Sequence, residues 1–248
     1  MIFGKANGFP QNLNLSNLTG SNGFKISGDL QFGFPPLPLG ARASGLGDIN
    51  ADGFDDIVVQ AQGGPASVIF GKSSFPANLK VSKLRGGDGF RLDGNFYWPI
   101  NAAGDVNGDG IDDFILSVDN SAGGARYENV VVFGRSIDFP SALDPLLVNG
   151  MDGFKMVSDS DRPTSIGDVN GDGFGDLQLK QSVVFGKAGP FSSSMDISDL
   201  DGSEPVWSSA PMTGSRRLLI GKHSMEQMGL RWTCRVVSCS WVAVVQAT

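Results

Sequence analysis

The chain has 248 residues, 40% of them hydrophobic, with 35 glycines and 13 prolines, a composition that suits many short strands joined by tight turns and excludes a helical bundle or a disordered chain. Its 26 acidic residues outweigh 19 basic ones, for a net charge of −7, so it lacks the basic surface that nucleic-acid phosphates demand. No stretch is long and apolar enough to span a membrane as a helix.

The opening phrase Met1-Ile-Phe3-Gly4-Lys5 has neither the basic n-region nor the apolar h-region of a signal peptide. It returns as Val68-Ile-Phe70-Gly71-Lys72, Val131-Val-Phe133-Gly134-Arg135 and Val183-Val-Phe185-Gly186-Lys187, so the chain is expected to open in the middle of a repeat. A second phrase follows each: Leu13-Asn-Leu15-Ser16-Asn-Leu18 leading to Gly23-Phe24, then Leu79-Lys-Val81-Ser82-Lys-Leu84 leading to Gly89-Phe90. A looser version runs from Leu146 to Gly153-Phe154, and Met195-Asp-Ile197-Ser198-Asp-Leu200-Asp-Gly202 begins another.

Between these phrases lies a nine-residue stretch in three copies: Asp48-Ile-Asn50-Ala-Asp52-Gly53-Phe54-Asp-Asp56, Asp105-Val-Asn107-Gly-Asp109-Gly110-Ile111-Asp-Asp113 and Asp168-Val-Asn170-Gly-Asp172-Gly173-Phe174-Gly-Asp176. Side-chain oxygens fall at positions 1, 3, 5 and 9, with glycine at position 6 where a tightly wrapped chain needs a positive φ. The backbone carbonyl at position 7 (Phe54, Ile111, Phe174) would add another oxygen. Hard oxygen donors without His or Cys select Ca²⁺, which tolerates the irregular coordination of a short loop better than Mg²⁺ does. The first half of the loop also fits an EF-hand, which requires Glu at position 12 and flanking helices. Position 12 is Val59, Leu116 and Leu179, in β-branched and apolar runs such as Ile57-Val58-Val59, so the loop is expected to lead into a strand. A single Asp/Asn/Gly-rich turn can bind nothing; three copies with one donor set argue for shared chemistry.

Loop starts at 48, 105 and 168 give a period of about 60 residues, the length of a four-stranded propeller blade with generous loops. Each unit reads as a strand ending in Gly-Phe, the acidic loop, a strand, a turn, a Phe-Gly strand and a polar link. Phe24, Phe90, Phe154, Phe70, Phe133 and Phe185 are the core candidates. Two insertions, Gln31–Gly40 and Asn120–Asn129, break the regularity, and such rim loops are where recognition usually resides; Arg126 and Tyr127 are a candidate contact pair. The adjacent acids Asp55 and Asp56 imitate a glycosidase pair, but neighbours on an extended strand point to opposite faces. Catalysis is not expected. Cys234, Cys239 and His223 all follow residue 222, so the repeats lack thiol and imidazole chemistry and the usual zinc ligands.

The loops and Phe-Gly phrases together resemble the FG-GAP repeats of the integrin α-subunit N-terminal β-propeller and its bacterial relatives, over about residues 1–202. The resemblance implies an all-β fold, a partial β-propeller of about three to four four-stranded blades starting mid-blade. It also implies bound Ca²⁺ with Asp48, Asn50, Asp52 and Asp56, Asp105, Asn107, Asp109 and Asp113, and Asp168, Asn170, Asp172 and Asp176 as ligands. The implied function is a non-catalytic adhesion or surface-recognition module, extracellular or at the cell surface, that binds a protein or glycan through its blade-rim loops. The alternative is the propeller accessory domain of a secreted phospholipase- or polysaccharide-degrading hydrolase. The Gly-Ala-Pro turn of the family has diverged here to Gln60–Pro65, Ser117–Asp119 and Lys180-Gln181. Because the family closes a ring of seven blades, the chain is expected to be a fragment.

From residue 203 to 248 the repeat signals fade, although Leu219-Ile220-Gly221 sits where the next loop is due after Ser165-Ile166-Gly167. The codons of Ser224–Arg231, read two bases on, permit Asn-Gly-Ala-Asp-Gly-Phe-Ala, so this segment is expected to be a degenerate fourth repeat, frameshifted from about residue 222. Sequencing the coding DNA checks this: codons that do not yield that peptide in the shifted frame refute it.

Overall fold

The computed structural model describes residues 1–27, 42–60, 64–96, 99–119, 127–158, 162–179, 181–197 and 206–208, which lie in one compact unit, Met1–Pro211. The insertions at 31–40 and 120–126 (Arg126 included), the turn residues 61–63 and 180, and the tail from 209 with His223, Cys234 and Cys239 lie outside the described residues.

Among the described residues the structure is all-β, with three short 3-10 turns and no α-helix. Ile2 bridges Gly23, and β1 (Lys25–Ser27) follows. A first full unit runs β2 (Arg42–Gly47), β3 (Asp56–Gln60), β4 (Gly64–Ile69), a short β5 (Asn78–Lys80) and β6 (Gly89–Phe96). The second repeats this order with β7 (Asn101–Gly104), β8 (Asp113–Asp119), β9 (Tyr127–Val132), β10 (Ala142–Leu143) and β11 (Gly153–Ser158). The third has β12 (Thr164–Gly167), β13 (Asp176–Leu179), β14 (Ser182–Val184), β15 (Ser194–Asp196) and β16 (Val206–Ser208).

In every unit the four longer strands form an antiparallel meander, while the short strand reaches back to pair in parallel with the last strand of the unit before. Thus β5 joins β1, β10 joins β6 and β15 joins β11. Two of the sheets therefore have five strands where four were expected. A second correction concerns Gly-Phe, which opens a strand instead of ending one: Gly89-Phe90 begin β6 and Gly153-Phe154 begin β11. Glycine is required there, because φ is 130° at Gly89 and 146° at Gly153, and an added Cβ would lie 2.2 Å from the carbonyl oxygen of Val68 or Val131.

Both faces of the central strands are buried, which is why they read as continuous apolar runs and not as alternating ones. Val58, Val68, Phe114, Leu116, Val130 and Val132 face one interior between the first and second units. Their neighbours Ile115 and Val131 face the interior toward the third unit, and Val59 and Ile69 face the interior toward the N-terminal strand. Successive sheets are thus stacked face to face.

All six core candidates are buried, and three further phenylalanines complete them. Phe75 stacks on Phe24 with ring centroids 4.2 Å apart, Phe139 on Phe90 at 4.6 Å and Phe191 on Phe154 at 4.6 Å, each pair within 9° of parallel. Phe3, Phe70 and Phe133 close the triads at a tilt. The basic residue after each Phe-Gly covers the outer ring: Lys72 over Phe75, Arg135 over Phe139 and Lys187 over Phe191. Each triad clamps the entry of the back-reaching strand to the start of the strand that closes its unit, and a stacked aromatic pair adds roughly 0.5–1.5 kcal/mol beyond area burial.

Phe9-Pro10 repeats the Phe75-Pro76 and Phe139-Pro140 phrases, yet Phe9 is 54% exposed, and among the described residues no ring stacks on it. Phe139→Ala is therefore expected to cost about 3–5 kcal/mol in denaturant unfolding, and Phe9→Ala under about 0.5 kcal/mol. Equal costs would show that the stacking is not what stabilises these phrases.

Candidate metal centre

Each acidic loop begins where the first strand of a unit ends in a β-bulge, at Leu46, Ala103 and Ile166, which bends the chain out of the sheet. It ends where the second strand starts, on Asp56, Asp113 or Asp176, so the loop does lead into a strand. Positive φ is required at position 6 (Gly53 88°, Gly110 84°, Gly173 93°) and also at position 4 (Gly108 75°, Gly171 76°), where the first loop places Ala51 at 59°.

Hydrogen bonds wrap all three loops alike. The position-1 carboxylate receives the amides of positions 5 and 6: Asp52 and Gly53 on Asp48 at 3.0 and 2.8 Å, Asp109 and Gly110 on Asp105 at 3.1 and 2.8 Å, and Asp172 and Gly173 on Asp168 at 3.1 and 2.8 Å. Asn50, Asn107 and Asn170 accept the position-5 amide through Oδ1 and donate Nδ2 to the position-5 carboxylate. That carboxylate, on Asp52, Asp109 or Asp172, accepts the amide of Phe54, Ile111 or Phe174.

The position-9 aspartates are fully buried. One oxygen of each accepts the amide of position 2, from Ile49, Val106 or Val169, at 2.7–2.9 Å. The other accepts the glycine amide of the Phe-Gly phrase, from Gly71, Gly134 or Gly186, at 2.7–3.1 Å. Burial pushes the Asp56 carboxyl up to about 7 and Asp113 up to about 8; the two amide bonds oppose the rise, and the charges at positions 5 and 1 add to it. At exposed Asp168 the Gly173 amide, with those of Gly171 and Asp172, holds the carboxyl below its usual range.

The loops also dock on one another. Asp48 and Ile49 carbonyls accept the amides of Asp112 and Arg135 at 3.3 and 2.9 Å, and Asp105 and Val106 carbonyls accept those of Gly175 and Lys187 at 2.7 and 3.0 Å. The Asp112 carboxylate returns a bond from the Asp48 amide. Ile49 and Val106 are fully buried in the interior toward the next unit. Residue-by-residue reading assigned nothing to position 2, although Ile, Val and Val recur there as a signal.

Hydrogen bonding thus ties positions 1, 3 and 5 into one ring of oxygens, with position 9 anchored beside it. Among the described residues no three acidic or imidazole side chains converge closely enough to form a ready-made metal cluster. The donor chemistry nonetheless fits a hard cation, because Oδ2 of Asp48, Asp105 and Asp168 accepts a single amide and so keeps one of its two acceptor sites, while Oδ1 of Asp105 and Asp168 takes two amides. Asp55 is exposed while Asp56 is buried, so the two do not converge as a catalytic pair.

With chelator present, Asp56 and Asp113 hold protons more tightly in the folded chain than in the unfolded one. The stability that protonation brings is complete below the ordinary aspartate value of 3.8 and is lost as pH rises through about 7 and about 8. Melting temperature in chelator is expected to fall between pH 5 and pH 8; a rise over that interval in scanning calorimetry would contradict the burial argument.

No protein-family model matches the chain and no curated protein matches its sequence, so its chemistry is read from the three loops themselves.

Proposed function

We propose that the chain is a calcium-stabilised, non-catalytic recognition module built from FG-GAP-type propeller blades, with one Ca²⁺ in each acidic loop. The observation that carries this reading is the threefold recurrence of one scaffold, in which backbone amides aim the same hard oxygens of positions 1, 3 and 5 around one loop. In the second loop Asp105, Asn107, Asp109, the Ile111 carbonyl and Asp113 would hold the ion; the first and third offer Asp48, Asn50, Asp52, Phe54 and Asp56, and Asp168, Asn170, Asp172, Phe174 and Asp176. Bound Ca²⁺ supplies positive charge that offsets the mutual repulsion of three aspartates.

The chain's own contribution is mechanical. Ordering positions 1 and 2 fixes the two carbonyls that bond the next unit and seats Ile49 or Val106 in the shared interior. Calcium would therefore stiffen the junctions between units. At ten times its Kd a ligand stabilises by roughly 1.4 kcal/mol per site, and sites of extracellular modules have Kd on the order of 10⁻⁴–10⁻³ M. A protein or glycan ligand at the rim loops, and an extracellular or cell-surface setting, belong to the same reading.

Calorimetric titration is expected to count three ions on the full chain and two on Asp109→Ala, since that change removes a position-5 oxygen and leaves Asp105 and Asp113 facing each other. An unchanged count refutes the ligand assignment. Chelation at fixed ionic strength is expected to lower the melting temperature by several degrees with a β-type circular dichroism spectrum in both states. Identical melting curves would reduce the loops to turns.

A further inference from the structure

The second unit carries a concavity at the end of the sheets where the loops lie, and the N-terminal strands carry another at the equivalent turn, lined by Ile2, Leu15, Leu18 and Phe24. A cavity of about 210 Å³ opens beside the 3-10 turn Pro145–Leu147, floored by Phe139, Leu143 and Val148 and edged by Arg135, Asp144 and Asp152. Three large apolar side chains stand exposed in the segments that frame it: Leu147 at 74%, Met151 at 88% and Ile137 at 69%. Aligning the repeat phrases places Leu147 opposite Lys83 and Asn17, and Met151 opposite Gly87 and Ser21. The sister positions are polar or bare, so this apolar rim is not a demand of the fold. Contiguous exposed apolar surface around a concavity is a mark of a binding site.

Charge and hydrogen bonding say what would fill it. Asp144 and Asp152 both line the cavity, and each has one oxygen on a local amide, of Leu146 and Asn149, and a second acceptor oxygen. The nearby Lys155 ammonium is turned to the Leu146 carbonyl at 3.3 Å and to Glu128 at 4.0 Å. The edge is therefore acidic. Arg135 lies over the Phe139 ring, its guanidinium carbon 4.2 Å from the ring centroid, and lines the edge of the cavity.

We propose that this surface binds an extended peptide segment of a partner protein, in which an aliphatic side chain next to a Lys or Arg enters the cavity. The aliphatic group meets Leu143, Val148 and Leu147, the basic group meets Asp144 and Asp152, and a backbone carbonyl of the peptide accepts from the Arg135 guanidinium at the cavity edge. The site uses none of the loop carboxylates, so it stands or falls apart from calcium.

The test uses the full chain and an array of synthetic eight-residue peptides that vary an aliphatic residue, a neighbouring basic or acidic residue, and their spacing; hits are titrated by fluorescence polarisation. Each variant borrows the residue of a sister unit, which protects the fold: Leu147→Lys, Met151→Ser, Asp144→Asn and Arg135→Lys, the third because Asn14 caps the equivalent turn and the last as in Lys72 and Lys187. Aliphatic-basic peptides are expected to bind, tenfold or more weakly to Leu147→Lys and Met151→Ser. Asp144→Asn is expected to lose the preference for basic over neutral peptides, and Arg135→Lys to weaken all hits alike. No binding by any array peptide, hits that are acidic, or hits indifferent to Leu147→Lys would overturn the proposal. So would sedimentation showing a dimer that Leu147→Lys dissolves, which would assign the patch to a second copy.

Discussion

Each unit depends on one buried carboxylate. Asp56, Asp113 and Asp176 sit without solvent exposure, a position that is costly for an ionisable group unless hydrogen bonds compensate. Two backbone amides do so in each case, one from the loop just before it and one from the glycine where the third strand ends. A single side chain thereby joins the first connection, the second strand and the exit of the third. Leucine there would fill the space and leave both amides unbonded, and asparagine could accept only one of them through its single oxygen.

Holding position 2 by its amide has a second effect, because its carbonyl and side chain are then presented to the neighbouring unit. Ile49 and Val106 enter the next interior, and their carbonyls bond the basic residue after the following Phe-Gly. Together with the back-reaching strands and the stacked phenylalanines, these contacts make each unit depend on its neighbour, as in repeat architectures whose stability is a sum of unit and junction contributions.

The acidic loops and the cavity beside Arg135 lie at one end of the sheets and touch through the chain itself. Arg135 gives its amide to the first loop's Ile49 and its guanidinium to the rim of the cavity. Ordering of the loop and occupation of the cavity therefore meet at one residue, although they use different atoms of it.

The period, the loop residues, the strand after each loop and the six buried phenylalanines were legible in the sequence, since each depends on local chemistry: β-branched runs, glycine at positive φ and apolar recurrence. The parallel strands β5, β10 and β15 were not, because they hold no more than three residues each and pair only with a strand 39 to 53 residues earlier in the chain. Phe75, Phe139 and Phe191 were visible as Phe beside Pro, but nothing local says that a ring will lie beneath them, and Phe9 shows that the phrase alone does not bring one. Residue order alone put the same side-chain oxygens at equivalent places in a repeated β unit, because the loop is wrapped by its own amides and glycines. That the ninth aspartate is an internal anchor and the second residue a plug could be read only from the folded chain, because those roles depend on amides and interiors supplied by other strands.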